Sequence, residues 1–353
     1  MNTSENIVSK IRNLNIPTHV QLEITKKCNL HCCFCYAECD NSDGLPQNVI
    51  FSLLDDLKKM GTLEINFTGG EPLMRKDIFN ILRYAKKLGF SITLNTNATL
   101  LSENNIDELQ KLVSKFEISL HSYKKNQHDS ITGVQGSYDK TKNSLSFFKD
   151  SPEKVLLKCV LTSISIDNWM LLKEFSDRNG FMCSFDTLIT PTYSGNTSPL
   201  KYQITSEENY GLIRSQPVLA YRTSPDTVLH HLEKGKLSDG ICSAGRTSAF
   251  IDSNGYCFPC ITFKTNPPKL YKNTKWVETI KEKSFSKIWE NNVLFNDIRS
   301  IIPQKFVKCL HCSSDMVCIK CIAKNWKETG DFYTPSSNYC ELSKKRFVDW
   351  ESV

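Results

Sequence analysis

The chain has 353 residues, of which 40% are apolar and 23% are charged, and its formal net charge is +6. This composition is typical of a globular protein and excludes disordered and fibrous chains. The positive charge is spread over short lysine pairs without an arginine-rich stripe, so nucleic acid binding is not expected. The sequence contains no signal peptide and no apolar run of membrane-spanning length, which predicts a cytoplasmic protein without membrane contact.

Strand-like and helix-like segments alternate from residue 19 to about residue 190. The six predicted strands are 19–25, 63–69, 91–97, 115–122, 154–162 and 182–190, and the predicted helices are 48–61, 76–89, 102–112, 137–150 and 167–180. Such alternation predicts right-handed βαβ crossovers, a parallel sheet and an α/β fold. Six units predict a partial (βα)6 TIM-like barrel, with its chemistry in the loops after the strand C-termini.

Three cysteines follow the first predicted strand with CxxxCxxC spacing: Cys28, Cys32 and Cys35, the last followed by an aromatic residue. In a reducing compartment the 15 cysteines of this chain are not expected to form disulfides, so the clustered ones point to metal or cluster ligation. Three thiolates on a four-iron cube leave one iron open for a ligand. The alternative is a zinc knuckle that recruits Cys33 or Cys39 as its fourth ligand.

The loops after the next strands carry residues suited to ligand binding. Gly69, Gly70, Glu71 and Pro72 follow the second strand, where glycines permit close backbone approach and oxygen atoms accept bonds from an ammonium group. Alone, this Gly-Gly-Glu-Pro segment is equally compatible with a plain turn. Further candidates lie at the ends of the third and fourth strands: Asn95, Asn97, Ser119 and His121.

Together, the CxxxCxxC loop and the GGEP segment one strand later resemble the radical S-adenosylmethionine (SAM) superfamily. The resemblance implies a [4Fe-4S] cluster whose open iron chelates the SAM methionine moiety, and reductive cleavage of SAM to a 5'-deoxyadenosyl radical. It also implies SAM contacts from the four GGEP residues and the four candidates at the strand ends. Three positions depart from the family pattern: Ala98 replaces the glycine of a TNG segment, His121 replaces an aspartate, and Thr132 replaces an arginine.

The C-terminal part of the chain is rich in cysteine. The spacing Cys242-x12-Gly255-x4-Cys260, followed by Cys309-x2-Cys312-x5-Cys318-x2-Cys321 and Cys340, resembles the SPASM domain of radical SAM enzymes, with x2 where x3 is usual. The resemblance implies two auxiliary [4Fe-4S] clusters. The distal one would use Cys309, Cys312, Cys318 and Cys340; the proximal one would use Cys242, Cys260 and Cys321, with Cys257 as the available fourth ligand. The alternative is a pair of structural zinc sites.

On this basis the predicted organisation has five parts. They are an N-terminal extension at 1–18, a radical SAM core at 19–215, a linker at 216–241, a SPASM domain at 242–345 and a C-terminal tail at 346–353.

The resemblance to SPASM enzymes implies a peptide or protein substrate, with crosslinking, epimerisation or oxidation of a ribosomally made peptide as the favoured outcome. A sulfatase-maturing role is disfavoured because Ile261 stands where those relatives carry an acid. A small-molecule or tetrapyrrole-modifying oxidase remains open, as does an electron-transfer protein, against which the GGEP loop argues.

The same resemblance implies partners and one further residue role. An external electron donor such as flavodoxin or ferredoxin is expected. A separate leader-peptide-binding protein is one possibility, because only about 17 residues precede the first strand. Cys159 and Cys183 in the fifth and sixth strands are candidate catalytic hydrogen donors, although buried structural cysteine is the favoured interpretation.

Overall fold

Nine strands form one sheet in the part of the chain that the computed structural model describes, which is residues 10–215, 242–264, 276–309, 312, 321–337, 340, 341 and 344. The strands are β1 His19–Glu23, β2 Glu64–Thr68, β3 Ser91–Thr96, β4 Lys115–Ser119, β5 Val155–Val160, β6 Met182–Asp186, β7 Ser248–Ile251, β8 Tyr256–Phe258 and β9 Glu278–Thr279. Their order in the sheet is β6-β5-β4-β3-β2-β1-β7-β8-β9.

Helices connect and cover these strands. They are α1 Gln47–Lys59, α2 Ile78–Lys87, α3 Ile106–Leu112, α4 Lys125–Thr132, α5 Ser137–Ser144, α6 Trp169–Arg178, α7 Ser206–Ser215, α8 Phe285–Asn291, α9 Val293–Arg299 and α10 Ile322–Thr329. No helix among the described residues is long and apolar enough to cross a membrane.

Strands β1 to β6 pair in parallel with each strand beside its neighbour in the chain, which confirms the predicted barrel of six βα units. Apolar periodicity explains why the helices cover one face. In α1 the buried residues are Ile50, Leu53, Leu54 and Leu57, which recur at helical spacing and pack into the core shared with the strands.

The two faces of the sheet differ in polarity because side chains alternate along each strand. Val20 and Leu22 of β1 are fully buried in the apolar core against the helices. The opposite face is polar: Thr93 donates a hydrogen bond to Glu64 at 2.7 Å, and the Lys158 ammonium lies 3.8 Å from Glu117. This polar face leads to the loops that carry the candidate residues.

Helix α4 is a structural element that the sequence pattern did not predict. Its buried residues are His128, Ile131 and Thr132, two of them polar, so the segment lacks the apolar periodicity that identifies α1. The predicted helix at 137–150 is correct in position, but it is an α-helix only to Ser144 and continues as a 3-10 turn at Leu145–Phe148.

The C-terminal region adds three strands to the barrel sheet. β7 pairs in parallel with β1, and β8 and β9 continue from it in antiparallel order. These strands have four, three and two residues, too short to produce a recognisable alternation in the sequence. A second apolar core, which includes Phe250, Phe258 and Trp326, lies under this extension.

The boundaries of the five predicted parts stay predictions. The predicted linker at 216–241 and the tail at 346–353 lie outside the described residues.

Candidate iron-sulfur and cofactor site

The CxxxCxxC cysteines lie on one loop that leaves β1 and returns to its end. The backbone N–H of Lys26 donates to Ser42 O at 3.1 Å, and that of Asp40 donates to Lys26 O at 3.2 Å, which closes the loop at its base. Within it, the Cys35 N–H donates to Cys32 O at 3.0 Å. This turn directs the peptide chain back on itself between two of the three thiols.

The last turn of α4 supports this loop through backbone hydrogen bonds. The N–H groups of His31 and Cys33 donate to the carbonyls of Thr132 and Ile131, each at 2.8 Å. Thr132 itself is buried and its hydroxyl is hydrogen-bonded to Ser137 at 2.6 Å, so it provides no charge where the family has arginine. Helix α4 therefore contributes to the site as a platform for the cysteine loop.

The thiols of the loop share one environment. Burial, followed by the nearby thiols of Cys28, Cys33 and Cys39, raises the pKa of Cys32 to about 12. The pKa of Cys28 is raised mainly by a side-chain hydrogen bond with Cys39 and then by burial. Because metal ligands bind as thiolates, ligation here is coupled to proton release.

The glycines of the GGEP loop are required by its contact with the cysteine loop. A Cβ at Gly69 would lie 2.4 Å from Thr25 O, and one at Gly70 would lie 2.2 Å from Lys27 O. The same approach is fixed by a hydrogen bond from Gly70 N–H to Thr25 O at 2.9 Å. Pro72 then begins a 3-10 turn, Pro72–Met74.

Glu71 holds the ends of β2 and β3 together. Its carboxylate is fully buried and accepts hydrogen bonds from Leu73 N–H, Thr96 Oγ1 and Asn97 N–H, at 3.1, 2.8 and 2.7 Å. Burial raises the pKa of Glu71 to about 7, against the effect of these three donors. The carboxylate is thus engaged by the protein, and the carbonyls of Glu71 and Pro72 accept the N–H groups of Met74 and Arg75, each at 3.0 Å.

Asn95 and Asn97 have different environments at the end of β3. The Asn97 amide donates to Asn29 Oδ1 in the cysteine loop at 2.9 Å, so it connects the two loops. Asn95 Oδ1 is buried and has no hydrogen-bond partner among the described residues. Ala98 follows with φ +60°, a left-handed conformation that favours glycine and accounts for the glycine of the family pattern.

Ser119 ends β4, and His121 follows it against the cysteine loop. The His121 ring meets Phe34 edge-to-face with centroids 4.8 Å apart. Its Nδ1 accepts a hydrogen bond from Val160 N–H at 3.2 Å, which leaves the ring proton on Nε2. Burial, and then the charge of His128, lowers the pKa of His121 to about 3, so the ring is neutral.

Cys159 and Cys183 do not join these groups. Cys159 belongs to the apolar core on the helix side of the sheet, and Cys183 packs against that core. The Cys159 thiol donates to His121 O at 3.4 Å and is 2% exposed. Their candidate catalytic role stays a prediction, and their position favours the structural interpretation.

In the C-terminal region Cys242, Cys260 and Cys321 lie together. Burial, and then the nearby thiols of Cys242 and Cys321, raises the pKa of Cys260 to about 12. All three cysteines pack against the second apolar core. They are the three residues expected to hold a proximal cluster.

Cys257 packs in a different core from that trio, and its expected role as the available fourth ligand stays a prediction. Because neighbouring residues of a strand face opposite sides, Phe258 enters the second core while Cys257 is fully buried in the first.

Of the cysteines expected at a distal cluster, Cys309 and Cys312 occupy one turn, in which Cys312 N–H donates to Cys309 O at 3.1 Å. Cys340 N–H donates to Ser336 O at 3.1 Å. Cys318 lies outside the described residues.

The donor sets consist of thiols, which bind iron-sulfur clusters and zinc alike. Among the described residues, no three His, Cys, Asp or Glu side chains are close enough to hold one metal ion. The soft thiolate donors, the glycine contacts and the unpaired Asn95 oxygen on the polar face fit a cluster with a bound polar cofactor.

A cavity beside the cysteine loop contains residues that the sequence pattern did not identify. It lies between Cys39 and Gly70 on one side and Asp252 and Lys264 on the other, and it is partly open to solvent. The sequence offers no signal for this cavity because Glu23 and Lys264, which meet there, are 241 positions apart.

Two family profiles match the chain: the radical SAM superfamily over residues 22–164 and the SPASM iron-sulfur cluster-binding domain over residues 242–313. The chain belongs to the radical SAM superfamily and carries a SPASM domain. Membership implies [4Fe-4S] clusters and SAM as cofactors. The predicted fold class and family are thereby confirmed.

Similar proteins differ in what they act on. The AdoMet-dependent heme synthase of Methanosarcina barkeri is 24% identical over 350 residues, which cover 92% of this chain and 97% of that protein. SuiB of Streptococcus suis, solved with SAM, matches at a TM-score of 0.68 and 21% identity, over 95% of this chain and 81% of SuiB. SuiB has also been solved with its precursor peptide SuiA. The anSMEcpe structure with AdoMet matches at a TM-score of 0.68 and 18% identity, over 96% and 98% of the two chains.

Proposed function

We propose that this protein cleaves SAM reductively and takes a hydrogen atom from a ribosomally made peptide, which is thereby crosslinked, epimerised or oxidised. The observation that carries the SAM chemistry is the contact of the cysteine loop with the GGEP loop, where any side chain at Gly70 would collide with Lys27. When bound, the cluster and SAM supply a 5'-deoxyadenosyl radical.

In this proposal Cys28, Cys32 and Cys35 hold the SAM-binding cluster. The carbonyls of the loop from Gly69 to Pro72 accept hydrogen bonds from the SAM amino group. Asn95 and Asn97, with Ser119 and His121, line the polar face where the rest of SAM binds. His121 acts there as a neutral Nε2–H donor, because its Nδ1 already accepts the Val160 N–H.

The proposal includes two auxiliary clusters in the SPASM domain. Cys242, Cys260 and Cys321 hold the proximal one, supported by the mutual proximity of their thiols. Cys309, Cys312, Cys318 and Cys340 hold the distal one. Three protein ligands leave an open position on the proximal cluster, which suits a site that faces substrate.

Charge at the cavity supports a peptide over an anionic substrate. Three acidic residues line it, Glu23, Glu38 and Asp252, against two basic ones, Lys26 and Lys264. A tetrapyrrole with several propionate groups would place like charges beside these carboxylates, whereas a neutral or basic peptide would not.

A second candidate function is oxidation of a tetrapyrrole. One observation favours it: the similarity to the heme synthase of Methanosarcina barkeri extends over almost the whole of both chains. The two candidates share the SAM chemistry and differ only in substrate.

The remaining parts of the proposal concern the protein partners and the cellular compartment. An external donor such as flavodoxin or ferredoxin supplies electrons, and a separate protein presents the leader peptide where one is needed. The cytoplasm is the expected compartment because it keeps thiols reduced.

The SAM chemistry is tested by incubating anaerobically reconstituted protein with SAM and a chemical reductant, and measuring 5'-deoxyadenosine. We expect product from the wild type and none from the variant with Cys28→Ala, Cys32→Ala and Cys35→Ala. Equal product from the variant would refute the assignment.

The substrate is tested in the same reaction with two additions, peptides encoded beside the gene and a propionate-bearing iron tetrapyrrole. We expect a peptide either to lose the mass of two hydrogens, or to keep its mass in ordinary water and take up deuterium when the reaction is run in D2O. A mass change in the tetrapyrrole alone would establish the second candidate instead.

A further inference from the structure

A buried group of charges forms one wall of the cavity. The Lys264 ammonium donates to Glu23 Oε2 at 2.7 Å and lies 3.7 Å from Asp252 Oδ2. All three side chains are at most 5% exposed. Ser253 also donates to Glu23 Oε2, from its N–H and its hydroxyl, each at 3.0 Å. The group therefore has a fixed geometry and a surplus of one carboxylate.

The surplus of negative charge extends to the mouth of the cavity. Glu38 lines it and accepts hydrogen bonds from Thr192 and Ser194. Lys26, the other basic residue of the lining, is paired with Asp40 at 3.5 Å, so its charge is already compensated from outside the cavity. A cation in this cavity would gain Coulomb attraction in a partly desolvated setting.

Aromatic groups complete the wall. The Lys264 ammonium lies 4.2 Å from the centroid of Tyr193, and Tyr256 and Phe258 also line the cavity. Tyr193 is 9% exposed, and its hydroxyl oxygen is buried without a hydrogen-bond partner among the described residues. Such an oxygen is expected to find a partner when the site is occupied, because an unpaired buried polar atom is destabilising.

Carboxylates beside aromatic rings are the surroundings that a guanidinium or ammonium group requires. We propose that this cavity is a subsite for a basic side chain, arginine or lysine, of the peptide substrate. The subsite rests on the proposed peptide function and adds to it a specificity determinant. It lies beside Gly70 and Cys39, so a basic residue held there places the neighbouring residues of the peptide next to the SAM site.

The test compares peptides that differ only in charge. Fluorescence anisotropy measures the binding of two labelled peptides to anaerobically reconstituted wild-type protein. The peptides are acetyl-Ala-Arg-Ala-amide and the same peptide with citrulline in place of arginine. Citrulline keeps the shape and loses the charge. We expect about tenfold weaker binding of the citrulline peptide, the range of a charge-assisted contact. Because no variant is involved, this comparison does not depend on the folding of a mutant.

Two variants locate the effect. Asp252→Asn keeps an oxygen for the N–H groups of Asn254 and Tyr256, so the turn is preserved while one charge is removed. We expect it to lower the preference for arginine to about threefold or less. Asp55→Asn on α1, where the carboxylate accepts the Tyr84 hydroxyl at 2.8 Å, is the matched control and should leave the preference unchanged.

Equal binding of the arginine and citrulline peptides, or tighter binding of a glutamate peptide, would overturn the subsite. A preference that Asp55→Asn lowers as much as Asp252→Asn does would also overturn it, since the effect would then be general charge attraction. Formation of 5'-deoxyadenosine by the same preparation is measured separately. A failed subsite with normal SAM cleavage therefore differs from a failure of the proposed SAM chemistry.

Discussion

A single methyl group at Gly70 is enough to disturb the cofactor site, because it would lie 2.2 Å from Lys27 O and 2.6 Å from its carbonyl carbon. Backbone atoms cannot move aside as a flexible side chain does. We expect Gly70→Ala to displace the cysteine loop and to abolish SAM cleavage. The iron bound on reconstitution should fall by about one third, which corresponds to loss of one of the three clusters. Iron analysis and 5'-deoxyadenosine assays measure both effects.

The matched control is Gly211→Ala in α7, where an added Cβ meets nothing within 4 Å. We expect unchanged iron content there and a gain of about 0.5–1 kcal/mol in the free energy of unfolding. A Gly70→Ala protein with full iron content and full activity would contradict the steric argument.

Buried histidines beside the site make stability depend on pH. Burial lowers the pKa of His128 to about 4, below the value of about 6.5 in the unfolded chain. As pH falls from about 6.5 to about 4 the unfolded state takes up the proton first, so the free energy of unfolding decreases, by up to about 3 kcal/mol for this group.

The variant His128→Asn isolates this contribution. An Asn oxygen can replace Nδ1 as acceptor of the His121 N–H but does not titrate. We expect the difference in unfolding free energy between wild type and variant to shrink as pH is lowered from 7.5 to 5, measured by urea unfolding. Parallel pH profiles of the two proteins would show that His128 is not responsible.

At the scale of elements, the junction of β1 with the C-terminal strands depends on one buried cation. Lys264 binds Glu23 at the end of β1 and lies near Asp252 just after β7. Replacing it by methionine leaves two buried carboxylates without their counter-ion. We expect Lys264→Met to lower the free energy of unfolding by about 3–5 kcal/mol, as measured by urea unfolding.

The double variant Lys264→Met with Glu23→Gln is the control, because it removes one of the uncompensated charges. We expect it to recover part of the loss, with a coupling energy of at least about 1 kcal/mol. Additive effects of the two substitutions would mean that the ion pair does not stabilise the junction.

The elements that the sequence predicted are those with a local signal. Apolar residues at helical spacing identified α1, and the alternation of strands and helices identified the parallel sheet. Helix α4 and the strands β7 to β9 were missed, because the first is mostly polar and the others have two to four residues. Their formation is determined by tertiary contacts, namely the pairing with β1 and the backbone bonds to the cysteine loop.

For the whole molecule, the same difference between local and long-range signals separates the cofactor-binding loops, which the sequence predicted, from the cavity, which it did not. The cysteine motif is one short stretch of sequence and the GGEP loop is another, so the residue spacing within each was informative by itself. The cavity joins Glu23 with Asp252 and Lys264 across more than 220 positions, and only the fold brings them together. Cys257 shows that closeness in sequence does not fix a shared environment: it lies three positions before Cys260, yet strand alternation directs it into a different core.

The iron content of the whole molecule shows whether the protein binds three clusters or fewer, and whether its cysteines bind clusters or zinc. Three four-iron cubes hold about twelve irons per chain. We expect replacement of Cys28, Cys32 and Cys35 by alanine to remove about four irons and abolish SAM cleavage. Replacement of Cys242, Cys260 and Cys321 should remove about four others while leaving SAM cleavage without substrate measurable, because those thiols pack against the second core and belong to neither the cysteine loop nor the GGEP loop.

Metal analysis and electron paramagnetic resonance of the reduced proteins measure these losses. Cys257→Ala is the matched control: its thiol lies in the first core, so we expect the wild-type iron content. Zinc in place of iron, or loss of iron from Cys257→Ala equal to that from the trio, would refute the cluster assignment in the SPASM domain. Since the two trios lie on different loops and pack against different elements, the losses should add when the variants are combined.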